Sequence, residues 1–537
     1  MECTMMRQPL LLDTLLARAG ALFPRVEVVS RMADRSLVRH DYATIALRTR
    51  RLASALIRAG LRRGDRVATL MWNHHAHLEA YFGIPMAGGV YHTLNLRLSP
   101  DELAYIVQHA GDRFLIVDDC LLPLLARFAD KVKLERVFVV SLTGKPPERY
   151  ESYESLLESG DPSFAPPARD ENEAVGLCYT SGTTGKPKGV MYSHRAIVLH
   201  SFAAGLVDSL GICQRDVMLP VVPMFHANAW GLPFVGAMVG CKQVYPGPHL
   251  DPAGLLDLYV AESVTVSAGV PTIWLGILQE LEKDPKRWSL PPGIRMIVGG
   301  SAAPESMIRA FDKHGMRVIH AWGMTETTPL GTVANLKAHL AGAPSDDCYR
   351  LRAKQGIPAP FVEVRAIGDT GEAPWDGRTM GELQVRGPWV ASSYFEAPEA
   401  AACWTEDGWF RTGDVVTIDP EGYVAIADRT KDLIKSGGEW ISSVALENAL
   451  MGHTAVREAA VIAVPDAKWG ERPWAVIVFK EGQSADDATL REHLSASFPK
   501  WALPDRFVAR SEIPRTSTGK FLKSKLREEL GTQRTGG

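Results

Sequence analysis

Short apolar runs alternate with amphipathic stretches over the first two thirds of the chain. The runs predict buried strands at 67–73, 114–119, 136–141, 264–269, 294–300 and 317–323. Between them, apolar residues recur at helical spacing, as in 43–60 and 305–315. Alternating strands and helices are typical of an α/β fold with largely parallel sheets.

The pattern changes after about Gly381. Residues 381–428 form short strand-like runs that are broken by Gly, Pro and Asp-Pro turns. A final stretch of two helical and two apolar strand patterns then reads as a small α+β unit. We therefore predict a large α/β N-terminal domain at 1–428 with several subdomains, its β-rich end at about 381–428, and a small C-terminal domain at 429–537.

Composition excludes several classes of protein. The chain of 537 residues has 46% hydrophobic and 23% charged residues and a net charge of -3, so no strong field attracts nucleic acid or an anionic membrane. Its seven cysteines show no metal-ligand spacing, which favours reduced thiols, a cytoplasmic location and no structural zinc. The N-terminus does not read as a signal peptide. The most apolar stretch, Leu219 to Gly240, contains three prolines, so we expect a buried core segment and no integral membrane helix.

A loop rich in Gly, Ser and Thr follows an apolar run at 179–194, YTSGTTGKPKGVMYSH. Its glycines and its lysine do not have the G-x-x-x-x-G-K-[ST] spacing of nucleotide hydrolases, and Lys186 is followed by Pro187. Hydroxyls, backbone N–H groups and lysines still make it a candidate phosphate-binding loop. The candidate residues are Thr180, Ser181, Gly182, Thr183, Thr184, Gly185 and Lys188.

Five further motifs follow this loop in a characteristic order. They are GGSAAP (299–304), HAWGMTETTP (320–329), GWFRTGD (408–414), DRTKDLIKSGGEWIS (428–442) and PRTSTGKFLK (514–523). Together with the loop they resemble the adenylate-forming (AMP-binding) enzymes over nearly the whole chain. Within that superfamily the sequence is similar to bacterial medium- and long-chain fatty-acid–CoA ligases and to 3-(methylsulfanyl)propanoate–CoA ligases.

The resemblance implies an ATP-dependent ligase that forms an acyl-adenylate, releases pyrophosphate and passes the acyl group to coenzyme A. It assigns Mg²⁺ to Glu326 with Thr180, the α-phosphate to Thr325, adenine stacking to Trp322 and the ribose to Asp414. The other expected nucleotide contacts are Gly300, Ser301, Ala302, Pro304, Ala321, Gly323, Met324 and Arg429.

The family also assigns roles to the small domain, which is expected to be mobile. Lys520 matches the lysine that stabilises charge during adenylation. The domain turns about a hinge, here Asp428, to bring a coenzyme A segment to the site. The expected coenzyme A residues are Lys435, Gly437, Gly438, Glu439 and Trp440.

The acid is the least determined part of the prediction. The resemblance places His226 beside the carboxylate, as a catalytic residue, and Trp230 and Gly231 in the acyl pocket. No Arg or Lys lies between 221 and 239, which favours an apolar monocarboxylic acid over a diacid. We favour a short- or medium-chain fatty acid; 3-(methylsulfanyl)propanoate and aryl acids stay open.

Two other functions remain as alternatives. A fatty acyl-AMP ligase would load a carrier protein, but it usually carries an insertion near the hinge that this sequence lacks. A non-catalytic member would be expected to lose Lys520, Glu326 or Asp414, all of which are present. A homodimer is an expectation from the family alone.

Overall fold

The computed structural model describes residues 3–144, 149–180, 186–437, 439–515 and 520–531. The chain divides into two compact units. The first comprises Met1–Ile297, Gly323–Gly331 and Gly387–Ala402, and the second comprises Val298–Trp322, Thr332–Arg386 and Cys403–Gly537.

The first unit contains a sheet of seven strands. In spatial order they are Glu151–Ser152, Arg136–Val140, Asp112–Asp118, Arg66–Leu70, Val90–Thr93, Ala174–Tyr179 and Gly189–Ser193. Neighbouring strands are parallel except for the last pair, which is antiparallel. Strand Val90–Thr93 is buried at all four positions, as expected for a parallel strand covered on both faces.

A second sheet in this unit is also mostly parallel. Its strands are, in spatial order, Arg295–Val298, Val266–Gly269, Val217–Pro220, Lys242–Tyr245, Glu27–Arg31 and Leu37–Asp41. Helix His75–Met86 is buried at all twelve positions, which marks it as a core helix. The other helices of more than six residues are Asp13–Leu22, Tyr42–Arg58, Pro100–Ala110, Tyr153–Ser159, His194–Gly205, Leu232–Val239, Pro252–Glu262 and Pro271–Lys283.

The second unit contains strand Arg317–Gly323 up to Trp322, the end of strand Leu330–Val333 from Thr332, and strand Ile357–Pro358. Its first helices are Glu305–Lys313 and Ser345–Ala353. A five-stranded antiparallel sheet follows. Its spatial order is Gly371–Glu372, Glu363–Gly368, Gly381–Arg386, Phe410–Ile418 and Val424–Arg429. Its last three strands overlap the predicted β-rich end at about 381–428, whereas Glu363–Gly368 and Gly371–Glu372 lie before it.

The C-terminal part of the second unit has its own sheet and core. The strands are Ile434–Ser436, Glu439–Ile441, Val456–Asp466, Gly470–Phe479 and Arg506–Ala509. The helices are Ser443–Met451, Asp487–Ser495 and Lys523–Gly531. Buried residues of the long strands and of the first two helices form one hydrophobic cluster.

The predicted fold class is confirmed: an α/β fold with parallel sheets, a separate antiparallel part and a small α+β end. The predicted boundary at 428 and the hinge stay predictions. Among the residues that the structure describes, no helix has the length and apolar character needed to cross a membrane. The apolar stretch from 219 to 240 instead contains the end of a strand, an irregular turn and helix Leu232–Val239.

Candidate active site

The predicted phosphate-binding loop connects the antiparallel strands Ala174–Tyr179 and Gly189–Ser193. At its base the backbone N–H of Thr180 donates to the carbonyl of Lys188 over 2.9 Å. The N–H of Lys188 donates in turn to the Thr180 hydroxyl over 3.2 Å. These two bonds fix the ends of the loop; residues 181–185 lie outside the described residues, so the roles of Ser181 to Gly185 stay predictions.

A tyrosine joins the end of this loop to the predicted magnesium ligand. The Tyr394 hydroxyl donates to Glu326 Oε1 over 2.5 Å, and Lys188 Nζ lies 5.1 Å from the centre of the Tyr394 ring. Both contacts lie within the first unit, and Glu326 is only 5% exposed. Tyr394 thus contacts both residues: its ring packs against Lys188, and its hydroxyl holds the carboxylate of Glu326.

The turn that carries Glu326 is tightly built. Glu326 lies in a 3₁₀ turn, Thr325–Thr327, and its carbonyl accepts the Ala391 N–H over 2.7 Å. The Tyr192 hydroxyl donates to the Thr325 carbonyl over 2.8 Å. Gly323 is required before the turn, because a Cβ there would lie 1.7 Å from the Pro329 carbonyl oxygen.

The predicted ribose carboxylate is held from two sides within the second unit. Asp414 and Arg429 are cross-strand partners, and Arg429 Nε lies 2.7 Å from Asp414 Oδ1. The indole N–H of Trp322 donates to Asp414 Oδ2 over 2.9 Å. Asp414 is 2% exposed and Trp322 is 8% exposed. The arrangement fixes the carboxylate and leaves each oxygen a further lone pair for a diol.

The remaining predicted nucleotide contacts lie at strand ends in two sequence neighbourhoods. Gly300, Ser301, Ala302 and Pro304 connect strand Arg295–Val298 to helix Glu305–Lys313, with Gly300 at φ 80°. Ala321 and Trp322 lie near the end of strand Arg317–Gly323, and Met324 follows the strand. Such positions at the ends of parallel strands are the usual location of ligands in α/β sheets.

The predicted acyl-pocket segment has an unusual backbone. After His226, whose N–H donates to the Pro223 carbonyl over 3.0 Å, the φ angles of Ala227, Asn228, Ala229 and Trp230 are 40°, 57°, 50° and 57°. A left-handed turn costs about 1–2 kcal/mol for each L-residue. Strain of this kind persists where the surroundings enforce it, and it often marks a functional site. This observation supports a site at 226–231.

Gly231 continues the left-handed turn with φ 75° and packs against His200. A Cβ on Gly231 would lie 2.5 Å from His200 Cε1. His200 Nε2 accepts the Leu330 N–H over 3.2 Å, and the Trp389 indole donates to the Leu330 carbonyl over 2.9 Å. Burial lowers the pKa of His200 to about 3, so the ring is neutral and carries its proton on Nδ1.

The predicted coenzyme A segment is a small hairpin. Lys435 and Trp440 are cross-strand partners, and Lys435 Nζ lies 5.1 Å from the centre of the Trp440 ring. Gly437 has φ 62° and packs against Trp469, which is 46% exposed. Glu439 pairs with Ser436, and Gly438 lies outside the described residues. The exposed indole of Trp440 lies in this hairpin, and that of Trp469 packs against Gly437 from a neighbouring segment.

Lys520 directly precedes Phe521 in the C-terminal part of the second unit. Arg515 and Phe521 form a bridge, and the Leu522 N–H donates to the Pro514 carbonyl over 2.7 Å. Residues 516–519, which precede Lys520, lie outside the described residues. Thr180, Lys188, Glu326 and His226 belong to the first unit, whereas Trp322, Asp414, Arg429 and Lys520 belong to the second.

Several contacts were not predicted from the sequence. Tyr394 and Trp389 lie in an irregular segment after the antiparallel sheet begins, and nothing in their spacing points to Glu326 or Leu330. The hydrogen bond between Trp322 and Asp414 joins residues far apart in sequence. His200 falls in an ordinary amphipathic helix, so only the packing against Gly231 reveals it.

The side chains of the candidate site could bind Mg²⁺ only if phosphate oxygens of a nucleotide supplied further ligands. Within the described ranges, no group of three or more His, Cys, Asp or Glu side chains is arranged to hold a metal ion. Mg²⁺ is usually bound by one or two carboxylates plus phosphate oxygens, and the buried carboxylate of Glu326 has the right donor chemistry for that role.

Comparisons with known proteins identify the family of the chain. Residues 17–395 match the family described as AMP-binding enzyme, and residues 445–520 match the AMP-binding enzyme C-terminal domain. The chain therefore belongs to the AMP-binding enzyme family.

Two curated relatives and one solved structure show how far the similarity extends. The chain is 51% identical over 530 residues to a long-chain-fatty-acid–CoA ligase of Thermus thermophilus, covering 98% of this chain and 96% of the relative. It is 46% identical over 542 residues to a 3-methylmercaptopropionyl-CoA ligase of Ruegeria lacuscaerulensis, covering 99% of both. ATP-bound MatB from Rhodopseudomonas palustris superposes with a TM-score of 0.81 at 28% identity, over 97% of this chain and 99% of that one.

Proposed function

We propose that the protein is an ATP-dependent, AMP-forming acyl-CoA ligase for short- or medium-chain fatty acids. In the first half-reaction a carboxylate oxygen attacks the α-phosphorus of ATP, and pyrophosphate leaves. In the second, the thiol of coenzyme A loses its proton and attacks the acyl carbon, and AMP leaves. The arrangement of Lys188, Tyr394 and Glu326 at the base of the phosphate loop is the structural observation that carries the proposal.

The first half-reaction brings two anions together, so it needs positive charge and fixed donors. Lys188 supplies charge at the loop, and Glu326 is the residue that would hold Mg²⁺, which would offset charge on the phosphates. Asp414 would orient the ribose, because Trp322 and Arg429 fix its carboxylate. We propose that Lys520 stabilises the negative charge that develops on the oxygens during adenylyl transfer.

The second half-reaction needs a path for a narrow thiol arm. We propose that a pantetheine chain passes along the hairpin with Gly437, because a glycine carries no side chain that would keep the chain from the backbone. Trp440 and Lys435 offer an exposed ring and a cation next to it. We therefore propose coenzyme A as the acceptor at this hairpin, delivered by rotation of the small domain about Asp428.

The acyl side of the site favours an apolar acid. Helix Leu232–Val239 is buried at Leu232, Phe234 and Val235, and it contains no charged side chain. A second candidate acid is 3-(methylsulfanyl)propanoate, since the Ruegeria relative carries that activity in its name. Its chain is about as long as that of pentanoate. The shape of the pocket alone would therefore give only weak discrimination between these two acids.

The cellular setting is also proposed. Seven cysteines without a disulfide support a cytoplasmic location. A homodimer stays a prediction from the family resemblance.

A panel of acids tests the function. Purified protein is assayed for coenzyme A-dependent AMP release with C2–C18 fatty acids, 3-(methylsulfanyl)propanoate and cinnamates. We expect the highest kcat/KM with C4–C10 acids. AMP release that depends on an acyl carrier protein but not on coenzyme A would favour the acyl-AMP ligase alternative, and no release with any acid would contradict the proposal.

The Lys520→Ala variant tests the half-reaction assignment. We expect adenylate formation to fall by about 100- to 1,000-fold, the scale of a lost electrostatic stabiliser. Thioester formation from supplied acyl-adenylate should fall much less. Equal losses in both half-reactions would contradict the role of Lys520.

A further inference from the structure

A second lysine of the small domain is buried three residues after Lys520. Lys523 is 9% exposed, and its Nζ lies 2.7 Å from Glu447 Oε1. The same ammonium donates to the Ser443 hydroxyl. Glu447 is itself 6% exposed, and it also accepts the Val461 N–H over 2.7 Å. Lys523 is therefore embedded in the domain and cannot act as a surface cation.

This buried cluster includes the predicted hinge. Asp428 is 1% exposed, and its Oδ2 accepts the backbone N–H of Ser443 over 2.8 Å. Ser443 thus contacts the hinge carboxylate through its backbone and Lys523 through its hydroxyl. Burial lowers the pKa of Lys523, but the carboxylates of Glu447 and Asp428 outweigh it, so the pKa is raised overall and the lysine stays charged.

Residues that follow Lys520 pack in the same region. Lys523 is the first residue of helix Lys523–Gly531, where a positive charge opposes the helix dipole. Phe521 packs into a hydrophobic cluster with Ile513, and the Arg515 guanidinium lies 4.7 Å from the centre of its ring. Because a positive charge is unfavourable at a helix start, Lys523 depends on its contacts with Glu447 and Ser443 and on the negative charge of Asp428.

We propose that Lys523 is a positioning residue for adenylation: through Glu447 and Ser443 it fixes the Lys520 segment relative to the hinge residue Asp428. The cluster therefore couples the geometry at the hinge to the position of the lysine that acts in the first half-reaction. This inference rests on the proposed function, because it assumes that Lys520 acts in adenylation.

The test compares the two half-reactions in Lys523→Met, Lys523→Arg and the double variant Glu447→Gln/Lys523→Met. The double variant replaces both members of the 2.7 Å ion pair, and the buried Asp428 carboxylate keeps its two backbone N–H donors, from Ser443 and Arg429. We expect Lys523→Met and the double variant to lower kcat of adenylation by about 100-fold, the scale of loss for a misplaced catalytic group. KM for ATP and thioester formation from supplied acyl-adenylate should stay within about threefold, and Lys523→Arg should recover part of the adenylation rate.

A matched control is Arg527→Gln on the same helix. Arg527 pairs with Asp432 at 2.7 Å but is more exposed than Lys523. We expect this variant to leave both half-reactions unchanged. Normal adenylation in the double variant, or equal losses in both half-reactions, would overturn the inference. If wild type forms no adenylate with any acid, the proposed function fails; if Lys520→Ala alone loses adenylation, only this inference fails.

Discussion

The indole N–H of Trp322 donates to Asp414 Oδ2 over 2.9 Å, and Arg429 Nε lies 2.7 Å from Asp414 Oδ1. Both residues that hold the buried carboxylate come from outside its own strand. The carboxylate that is predicted to bind the ribose is therefore oriented before the nucleotide arrives, which reduces the entropy lost on binding.

Replacing Trp322 by Phe tests this orientation. The substitution keeps a ring for adenine but removes the hydrogen bond to a charged group, which is worth about 1.5–3 kcal/mol. We expect KM for ATP to rise by about tenfold or more, with little change in KM for the acid. Steady-state pyrophosphate release at varied ATP measures the effect, and an unchanged KM for ATP would contradict the assigned role.

The Tyr394→Phe variant tests the link to the candidate metal carboxylate. It removes the hydroxyl that donates to Glu326 Oε1 over 2.5 Å. We expect the Mg²⁺ concentration for half-maximal activity to rise several-fold, because the carboxylate loses a group that orients it. Tyr192→Phe is a matched control, since its hydroxyl bonds the Thr325 carbonyl and not Glu326. Equal shifts in both variants would remove any special role for Tyr394.

Gly231→Ala tests the acyl-pocket assignment. The new Cβ would lie 2.5 Å from His200 Cε1, and φ of 75° is unfavourable for alanine. We expect KM for the acid to rise by about tenfold or more, while KM for ATP changes little. Gly60→Ala serves as a control, because Gly60 has φ 100° but nothing lies near its Cβ position. A change in KM for ATP alone would contradict the assignment of Gly231 to the acyl pocket.

The stability of the small domain should depend on pH through Glu447. Burial raises the pKa of Glu447 from 4.5 to about 7, against the opposing effect of Lys523. The folded state therefore keeps a proton that the unfolded state has lost, and the free energy of unfolding falls as pH rises from about 4.5 to about 7. Lys523 and the N–H of Val461 contact this carboxyl group, and the charge of Asp428 also raises its pKa.

The measurement is the free energy of unfolding of wild type and Glu447→Gln between pH 4.5 and 8. We expect the free energy of unfolding of wild type, minus that of Glu447→Gln, to fall by about 1–3 kcal/mol across this range. The difference should level off above about pH 7. A constant difference, or one that grows with pH, would contradict a protonated Glu447 at low pH.

The strands and helices were largely predictable because their apolar periodicity is strong. Strand Arg136–Val140 and helix Tyr42–Arg58, for example, lie within two residues of the predicted ranges. The motif residues could be named because the loop at 179–194 and the GMTE, TGD and STGK motifs are short and ordered.

The partners of those residues could not be predicted. The bond between Tyr394 and Glu326, like that between Trp322 and Asp414, joins distant segments and depends on tertiary packing. The left-handed turn at 227–230 contains no glycine before Gly231, so local sequence preference argues against it. The ion pair of Lys523 and Glu447 looks, in sequence, like two ordinary surface charges.

The most direct test of the account is the identity of the products of ATP. Wild-type protein is incubated with ATP, Mg²⁺, coenzyme A and the best acid of the panel, and the nucleotides and phosphates are separated and quantified. The account predicts equal amounts of AMP, pyrophosphate and acyl-CoA, because the α–β bond is broken. ADP and inorganic phosphate as the products would contradict it.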